Sequence, residues 1–226
     1  MKAVVLSSGG LDSTTCLGIA VKKFGSENVS AVSIFYGQRH IKELESAKKV
    51  AEFYKVGHYE FDAAAIMKFS NSALLNSSTE NLEKKSYAEQ VKKNPRISTY
   101  VPFRNGLMIS MAASFADGIF GGEECEIYIG VHQDDAAVNA YADCSEKFIS
   151  AIGEAVEVGT YGKIKIVAPF VGKTKADVVK IGLDLKVPYE LTWSCYERGE
   201  TPCGKCATCI DRAKAFELNG VSDPAL

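Results

Sequence analysis

Short apolar runs alternate with stretches of helical periodicity along most of the chain. Residues 3–6 form an apolar run that ends at glycines, and apolar residues recur at helical spacing from about residue 13. The same pattern predicts strands at residues 29–35, 126–130 and 163–169, and helices from about residue 41, at 105–116, at 145–158 and at 175–185. This order predicts an α/β fold whose parallel sheet carries helices on both faces, with its site at the carboxyl ends of the strands.

Two stretches depart from the alternation. Residues 63–102 are rich in Ser, Asn and Lys and exceed the usual length of a connection, so we interpret them as an active-site flap with a helix around residues 86–93. From residue 192 onward the chain holds a cluster of cysteines. The expected organisation is an α/β domain over residues 1–191 and a small C-terminal zinc-binding lobe over residues 192–226, packed on that domain.

The composition favours a small-molecule substrate. The formal net charge is -2 and the pI is about 6.0, so there is no overall positive field to hold a nucleic-acid backbone. The first residues lack an apolar region of signal-peptide length, and no apolar stretch is long enough to span a bilayer. We therefore expect a cytoplasmic protein without a membrane or stable nucleic-acid partner.

Residues 7–13, Ser-Ser-Gly-Gly-Leu-Asp-Ser, fall between the first strand and the first helix, where backbone N–H groups face an anion. Glycine allows positive φ and close approach to phosphate oxygens, while Ser8 and Ser13 add hydroxyl donors. Asp12 is suited to hold Mg²⁺ or to cap the helix. The alternative is a plain glycine turn with an N-cap. The string lacks both the Gly-Lys-Ser/Thr ending of a Walker loop and the Gly-x-Gly-x-x-Gly dinucleotide fingerprint.

The seven cysteines are unevenly distributed. Cys16, Cys125 and Cys144 are scattered, whereas four fall close together near the C-terminus, namely Cys195, Cys203, Cys206 and Cys209. Four thiolates complete the tetrahedral shell of a structural Zn²⁺ ion and leave no open position for water. An iron–sulfur cluster is the alternative, although the spacing is not that of a ferredoxin.

Ser8-Gly-Gly-Leu-Asp-Ser13 resembles the Ser-Gly-Gly-x-Asp-Ser loop of the ATP-pyrophosphatase family. The resemblance implies that ATP is cleaved between its α- and β-phosphates. It also implies that AMP is transferred to a substrate oxygen and that the loop retains pyrophosphate.

The order of motifs over nearly the whole chain is similar to that of the 7-cyano-7-deazaguanine synthase family. Besides the phosphate loop, the matching segments are Tyr36-Gly-Gln-Arg-His40, Val101-Pro-Phe-Arg-Asn105, Gly130-Val131, Asp135, Tyr141-Ala-Asp-Cys144, Pro169, Lys175-Ala-Asp177 and the four cysteines followed by Arg212. The departures lie near the expected substrate pocket: Phe103 replaces a glycine, two extra residues separate Asp135 from Tyr141, Ala142 replaces a proline and Ser145 replaces an arginine.

This resemblance implies an adenine nucleotide alpha hydrolase-like, Rossmann-like fold and a homodimer that uses ATP, Mg²⁺ and Zn²⁺. The expected ATP-binding residues are Ser7, Ser8, Gly9, Gly10, Leu11, Asp12, Ser13, Thr14, Tyr36, Gln38, Arg39 and Gly130. The expected catalytic residues are Ser8, Asp12, Ser13, Arg104 and Lys175. The expected substrate-binding residues are Arg104, Asn105, His132, Asp135, Tyr141 and Asp143, of which the two aspartates suit the guanine-like edge.

The expected reaction turns a 7-deazaguanine carboxylate and ammonia into a nitrile through adenylated intermediates. A paralogue that stops at the amide or takes a related deazapurine is one alternative. A tRNA-modifying ATP-pyrophosphatase is another, although such enzymes usually present a basic RNA surface. A third alternative is a zinc-knuckle module that binds nucleic acid through its cysteine lobe.

Overall fold

The computed structural model describes residues 1–39, 41–80, 97–133, 141–197 and 199–225. Its centre is a five-stranded parallel sheet with the strand order β3-β2-β1-β4-β5. The strands are β1 (Lys2–Leu6), β2 (Val29–Phe35), β3 (Gly57–Asp62), β4 (Cys125–Tyr128) and β5 (Ile164–Val167). The predicted parallel sheet is therefore confirmed.

Helices cover both faces of the sheet. They are α1 (Leu11–Phe24), α2 (Lys42–Tyr54), α3 (Ala64–Met67), α4 (Arg104–Phe120), α5 (Glu146–Gly159), α6 (Lys175–Asp184) and α7 (Ala207–Leu218). Alternate residues of β1 point to opposite faces, so Val4 and Leu6 pack with apolar residues of α4 and α5. Ala3 and Val5 pack with those of α1, α2, α6 and α7 on the other face. Strands buried on both faces explain the continuous apolar runs of the sequence.

Most predicted elements lie within a few residues of their observed bounds, but three were not foreseen. Strand β3 is an edge strand whose residues are mostly exposed, so it lacks the apolar run that marks a buried strand. Helix α3 is a single short turn. Helix α7 begins at Ala207, directly after its N-cap residue Cys206, and the interpretation of this stretch as a metal lobe left the helix unpredicted.

The expected flap over residues 63–102 is described only in part. Leu74, Leu75 and Ile97 are buried, and the Ala73 N–H donates to the Ser98 carbonyl at 2.8 Å, so the described flanks pack on the domain. The predicted helix at residues 86–93 lies outside the described residues. Flap closure and the division of the chain at residue 192 stay predictions.

The strand order fixes where a ligand can bind. The chain leaves β1 toward β2 on one side, while β4 lies on the other side, so the order reverses between β1 and β4. Open α/β sheets bind ligands at the carboxyl ends of the strands at such a reversal. Among the described residues, no helix has both the length and the apolar character that crossing a membrane requires.

Candidate active site

The chain between β1 and α1 turns tightly over residues 7–10. Gly9 has φ 78, and a Cβ added there would lie 2.1 Å from the Glu43 carbonyl oxygen. A Cβ added to Gly130, which follows β4, would lie 3.0 Å from the Ser13 nitrogen. Close backbone approach therefore requires glycine at position 9, whereas a side chain at position 130 would force its neighbours to shift by a few tenths of an ångström. The first N–H groups of α1 have no intrahelical partners and face the space beyond the strand ends.

Hydroxyl groups surround the start of α1. The Ser8 N–H donates to Ser13 Oγ at 3.1 Å, the two Oγ atoms are 3.1 Å apart, and the Gly10 N–H donates to Ser8 Oγ at 3.3 Å. Ser7 Oγ is buried without a hydrogen-bond partner among the described residues. The Thr14 hydroxyl instead donates to the Gly10 carbonyl at 2.8 Å, so it stabilises the start of the helix.

A charged cluster lies beside this loop. Lys175, the first residue of α6, donates from Nζ to Asp12 Oδ2 at 2.6 Å, and His132 Nε2 lies 3.1 Å from the same Nζ. Burial raises the pKa of the Asp12 carboxyl, but the charges of Lys175 and His132 lower it by more, so this pKa lies below its ordinary value. Asp12 Oδ1 is buried without a hydrogen-bond partner among the described residues. The cluster thus presents a carboxylate and an ammonium group to an anion bound at the loop.

Arg104 begins α4 and faces the same space. Its Nη1 donates to the Tyr36 hydroxyl at 3.2 Å, and its guanidinium carbon lies 5.2 Å from the centroid of that ring. Gln38 Oε1 accepts the Tyr36 N–H at 2.8 Å and so fixes the turn after β2. Phe103 precedes the helix with φ 52, which explains why glycine suits this position, and its ring contacts Phe148 edge-on at 5.7 Å.

Asp143 and Asn105 form a buried contact behind Arg104. Asp143 Oδ2 accepts the Asn105 N–H at 2.9 Å, and the Asp143 carbonyl accepts the Asn105 side-chain amide at 3.1 Å. Asn105 Nδ2 also lies 3.2 Å from Cys144 Sγ. The Tyr141 hydroxyl lies 2.7 Å from Thr99 Oγ1. Asp143 therefore satisfies an open N–H of α4 and holds Asn105 in place.

A cleft of about 240 Å³ connects these groups. The expected site residues that line it are Ser7, Ser8, Gly10, Leu11, Asp12, Ser13, Tyr36, Gln38, Arg104, Asn105, Gly130, His132, Tyr141 and Lys175. Gly9, Thr14, Arg39 and Asp143 are not among its lining residues. Arg39 Nε donates to the Leu75 carbonyl at 3.0 Å, so the guanidinium ties down the described part of the expected flap. Asp135 lies outside the described residues.

The cleft also contains residues that sequence reasoning missed. They include Glu43, Met108 and Asp211. Burial raises the pKa of the Glu43 carboxyl to about 7, against the lowering effect of the Arg104 charge. Glu43 follows the Tyr36–His40 motif by three residues, which was a signal available in the sequence, but its place in a charged amphipathic helix resembles that of a surface residue.

The four clustered cysteines come together as predicted. Their sulfur atoms all lie within 4.8 Å of one another, and three of the four residues are buried. Cys195 Sγ accepts the Cys203 N–H at 3.3 Å, and Cys203 Sγ accepts the Cys206 N–H at 3.3 Å. The bond from the Cys209 thiol lowers the pKa of Cys206 to about 4, so one sulfur of the pair carries negative charge.

This donor set fits a tetrahedral metal ion. Four thiolates about 2.3 Å from Zn²⁺ lie about 3.8 Å from one another, which the cluster reaches with small side-chain movements. Backbone N–H groups directed at sulfur stabilise thiolates. Gly204 has φ 66, the left-handed backbone that a tight knuckle between two ligands requires. The cluster is therefore suited to hold a metal.

The cysteine-bearing segment also contacts the phosphate loop. The Trp193 N–H donates to the Gly9 carbonyl at 2.9 Å, and Trp193 Nε1 donates to the Cys195 carbonyl at 2.8 Å. The Thr208 hydroxyl donates to the Ser194 carbonyl at 2.6 Å. The metal cluster and the start of α1 are therefore joined by a short chain of hydrogen bonds.

A buried ion pair fastens the C-terminal segment to the domain. Arg212 donates to both carboxylate oxygens of Asp223, at 2.6 and 2.9 Å, and both side chains are only 3% exposed. Arg212 Nη1 also donates to Thr192 Oγ1 at 2.7 Å, and Nη2 donates to the Tyr189 carbonyl at 3.2 Å. One guanidinium thus joins the turn at residues 189–192 to Asp223 near the C-terminus.

Arg212→Met is expected to lower the free energy of unfolding by about 3 kcal/mol, because Asp223 would remain buried without its cation. Methionine retains much of the apolar stem, so the loss reports mainly on charge. Lys23→Met is the matched control, since Lys23 is half exposed in its pair with Glu126, and it should cost less than about 1 kcal/mol. Urea unfolding measures both values, and equal losses for the two variants would contradict the prediction.

The chain is similar in sequence to known proteins. The family described as "Queuosine biosynthesis protein QueC" matches residues 2–220. A 7-cyano-7-deazaguanine synthase from Archaeoglobus fulgidus is 43% identical over 227 residues, which cover 100% of this chain and 90% of that protein. The enzyme of the same name from Oceanobacillus iheyensis is 40% identical, with 99% of this chain and 96% of that protein covered.

Solved structures support the fold at lower identity. NMN synthetase from Francisella tularensis aligns with a TM-score of 0.51 and 14% identity, over 99% of this chain and 80% of that chain. The U34-tRNA thiolase NcsA from Methanococcus maripaludis aligns with a TM-score of 0.50 and 15% identity, over 97% of this chain and 67% of that chain. At such identities the likeness concerns the fold alone.

Proposed function

We propose the activity of this chain from the premise that it belongs to the QueC family of queuosine biosynthesis proteins. It is an ATP-dependent ligase-type enzyme that converts 7-carboxy-7-deazaguanine and ammonia to 7-cyano-7-deazaguanine. One observation carries the proposal at the level of geometry: the glycine loop, the Asp12–Lys175 pair and Arg104 all face the same cleft. A polyphosphate and a planar carboxylate can bind side by side in such a cleft.

The chemistry requires activation of the carboxylate, because its oxygen is a poor leaving group. The carboxylate attacks the α-phosphorus of ATP, pyrophosphate leaves, and ammonia displaces AMP to give an amide. The amide oxygen then attacks a second ATP. Loss of AMP and of the remaining N–H protons gives the nitrile.

Different residues of the cleft bind the pyrophosphate and stabilise the developing charge. The Ser8 and Ser13 hydroxyls and the open N–H groups of α1 hold the departing pyrophosphate. Lys175 and Arg104 offset the negative charge that develops on the phosphate oxygens. Bound Mg²⁺ would offset charge as well, and Asp12 Oδ1, which is buried without a hydrogen-bond partner in the described part of the chain, is suited to hold it.

The substrate lies across the cleft from the loop. Asn105 and Tyr141 line this part and supply polar contacts to the deazapurine, and His132 adds a polar contact from beside Lys175. Asp143, which is bonded to Asn105, acts as a positioning residue rather than by contact. Tyr36 and Gln38 flank the nucleotide.

The finer assignments complete the proposal. Cys195, Cys203, Cys206 and Cys209 hold a structural Zn²⁺ ion, the enzyme is a homodimer, and it acts in the cytoplasm. Light scattering of the purified protein tests the dimer, since a mass near the 24.4 kDa of one chain would contradict it.

The activity is tested by mass spectrometry after incubation with ATP, Mg²⁺, ammonia and 7-carboxy-7-deazaguanine. The expected products are AMP, pyrophosphate and the nitrile. The amide as the final product would indicate the paralogue. Release of ADP without AMP would contradict adenylation.

Lys175→Met is expected to slow AMP formation by about 10²- to 10³-fold, because it removes the cation beside the phosphate loop. Lys173→Met is the matched control, since Lys173 is an exposed lysine two residues away, and it should retain the wild-type rate within about twofold. Carboxylate-dependent release of AMP measures both rates. A Lys175→Met enzyme as active as the control would contradict the role assigned to Lys175.

A further inference from the structure

The cleft contains a carboxyl group that the mechanism above does not use. Glu43 lies in the first turn of α2 and lines the cleft together with Tyr36 and Arg104. Its carbonyl oxygen is close enough to Gly9 that a Cβ could not fit between them. The Glu43 turn therefore packs against the phosphate loop, and the Glu43 side chain lines the cleft beside this loop.

Other acid–base groups of the cleft are already engaged. Asp12 forms an ion pair with Lys175 at 2.6 Å, and His132 Nε2 lies 3.1 Å from the same ammonium nitrogen. Asp143 is not among the residues that line the cleft, and it accepts the Asn105 backbone N–H. The Glu43 carboxylate forms no hydrogen bond or ion pair with the described residues, although the charge of Arg104 acts on it.

Formation of a nitrile from ammonia requires a proton acceptor. The nitrogen enters as NH₃ with three N–H bonds and leaves without any. The first proton is lost when ammonia displaces AMP and the amide forms. The second is lost when the amide oxygen takes up AMP and the C=NH₂⁺ group becomes C=NH. The third is lost when the N–H electron pair completes the triple bond and the C–O bond to AMP breaks.

The acceptor must lie near the phosphate loop. The reacting carbon is joined to the α-phosphorus through a single oxygen, so the nitrogen it carries stays within a few ångströms of the phosphate. A general base acts at hydrogen-bond distance from the proton that it removes. Glu43 is adjacent to the loop, whereas Asn105 is held by Asp143 and the Tyr141 hydroxyl lies 2.7 Å from Thr99 Oγ1.

We propose that Glu43 is the general base that accepts the N–H protons in the amide- and nitrile-forming steps. The proposal rests on the proposed function and assigns a catalytic residue to it.

The electrostatic surroundings of Glu43 suit this role. Burial raises the pKa of its carboxyl to about 7, while Arg104, which faces it from α4, acts in the opposite direction. A base whose pKa lies near the working pH can both accept and release protons. Tyr36, which faces it from the end of β2, has a raised pKa and stays neutral in this range. Lys42 on the same helix lies over the Trp193 ring at 4.9 Å.

The test uses the full-length enzyme and three variants, Glu43→Gln, Glu43→Asp and the matched control Glu45→Gln, an exposed residue of the same helix. ATP–pyrophosphate exchange that depends on the carboxylate reports adenylation alone, and we expect Glu43→Gln to retain it within about threefold. Nitrile formation should fall by about 10²- to 10⁴-fold in Glu43→Gln, recover in part in Glu43→Asp, and stay unchanged in Glu45→Gln.

The pH dependence is best measured with the amide as substrate. Ammonia is then not needed, so its ionisation does not contribute to the pH profile. The wild-type rate from amide to nitrile should rise with pH through about 7, as the Glu43 carboxyl loses its proton, and this rise should be absent in Glu43→Gln. A raised carboxyl pKa means that folding favours the protonated form, with a stability contribution present below pH 4.5 and lost as pH rises through about 7. The neutral Gln variant should therefore melt no lower than the wild type at pH 8.

Three results would overturn the proposal. A raised KM for the carboxylate with unchanged kcat in Glu43→Gln would indicate that Glu43 binds the substrate edge. Loss of both ATP–pyrophosphate exchange and nitrile formation in Glu43→Gln would indicate a role in ATP binding. A wild-type rate of nitrile formation in Glu43→Gln would exclude catalysis. Failure of the proposed function is distinct, since the wild type itself would then release no AMP.

Discussion

Cys203→Ser is expected to abolish metal binding and to lower the melting temperature by more than about 10 °C, which corresponds to at least about 2.5–5 kcal/mol for a domain of this size. Structural Zn²⁺ contributes about 10–16 kcal/mol of binding free energy in small zinc-binding peptides, and the loss of one thiolate forfeits much of it. Cys203 is the one partly exposed residue of the four. Without a metal, the same substitution would disturb packing little, so a large effect reports on the ion.

Cys125→Ser provides the matched control, because Cys125 is a buried thiol of β4 outside the cluster. It should retain one metal ion per chain and lose only about 1–2 kcal/mol from packing and from a buried hydroxyl. Metal content by elemental analysis and thermal unfolding distinguish the two variants. Wild-type protein without bound metal, or equal losses for both variants, would contradict the metal assignment.

The loss of the metal is also expected to disturb the phosphate loop of the active site. Trp193 and Cys195 are joined by a side-chain hydrogen bond, and the Trp193 N–H holds the Gly9 carbonyl. Disorder around the cysteines would therefore release one side of the phosphate loop. An ordered cysteine cluster is therefore expected to be a condition for binding phosphate.

The core of the fold was predictable because buried elements carry strong patterns. Parallel strands covered on both faces read as continuous apolar runs, and β2 was predicted with its observed bounds. Strand β3 was not, because its residues are mostly exposed and its pairing with β2 depends on backbone hydrogen bonds that any sequence can make. Edge strands are defined by their neighbours rather than by their own composition.

The site was predictable where backbone geometry demands particular residues. Gly9 is required by contacts closer than any side chain allows, a side chain at Gly130 would crowd the Ser13 nitrogen, and the four cysteines lie close enough together to hold a metal ion. Glu43 was missed because its burial arises from the packing of α2 on the phosphate loop, which local sequence does not encode. Asp143 satisfies a backbone N–H in the structure, a use of a carboxylate that its sequence position does not distinguish from ligand binding.

Two departures from the family pattern have local explanations. Phe103 takes the left-handed backbone that favours glycine, and its contact with Phe148 offsets part of the cost. Ser145, in place of an arginine, is the N-cap of α5 and accepts the Phe148 N–H at 3.2 Å. Both substitutions therefore adjust one junction between α4 and α5 at the edge of the cleft.

Gly9→Ala is expected to lower the free energy of unfolding by more than about 4 kcal/mol and to abolish ATP turnover. The added Cβ would lie 2.1 Å from the Glu43 carbonyl oxygen and 2.6 Å from the Ala47 nitrogen. Both contacts are with the backbone of α2, so no side chain can move to relieve them. Relief requires α2 to move away from the loop, which would displace Glu43 and open the phosphate site.

Gly162→Ala separates this clash from the cost of positive φ. Gly162 has φ 74, close to the value of 78 at Gly9, and a Cβ there would have no heavy atom within 4 Å. It should lose about 1–2 kcal/mol, the cost of a left-handed backbone with a side chain, and keep wild-type turnover. Urea unfolding and AMP release compare the variants. If Gly9→Ala lost no more stability than Gly162→Ala, the packing of α2 against the phosphate loop would not constrain this residue, and the placement of Glu43 beside the reacting phosphate would lose its basis.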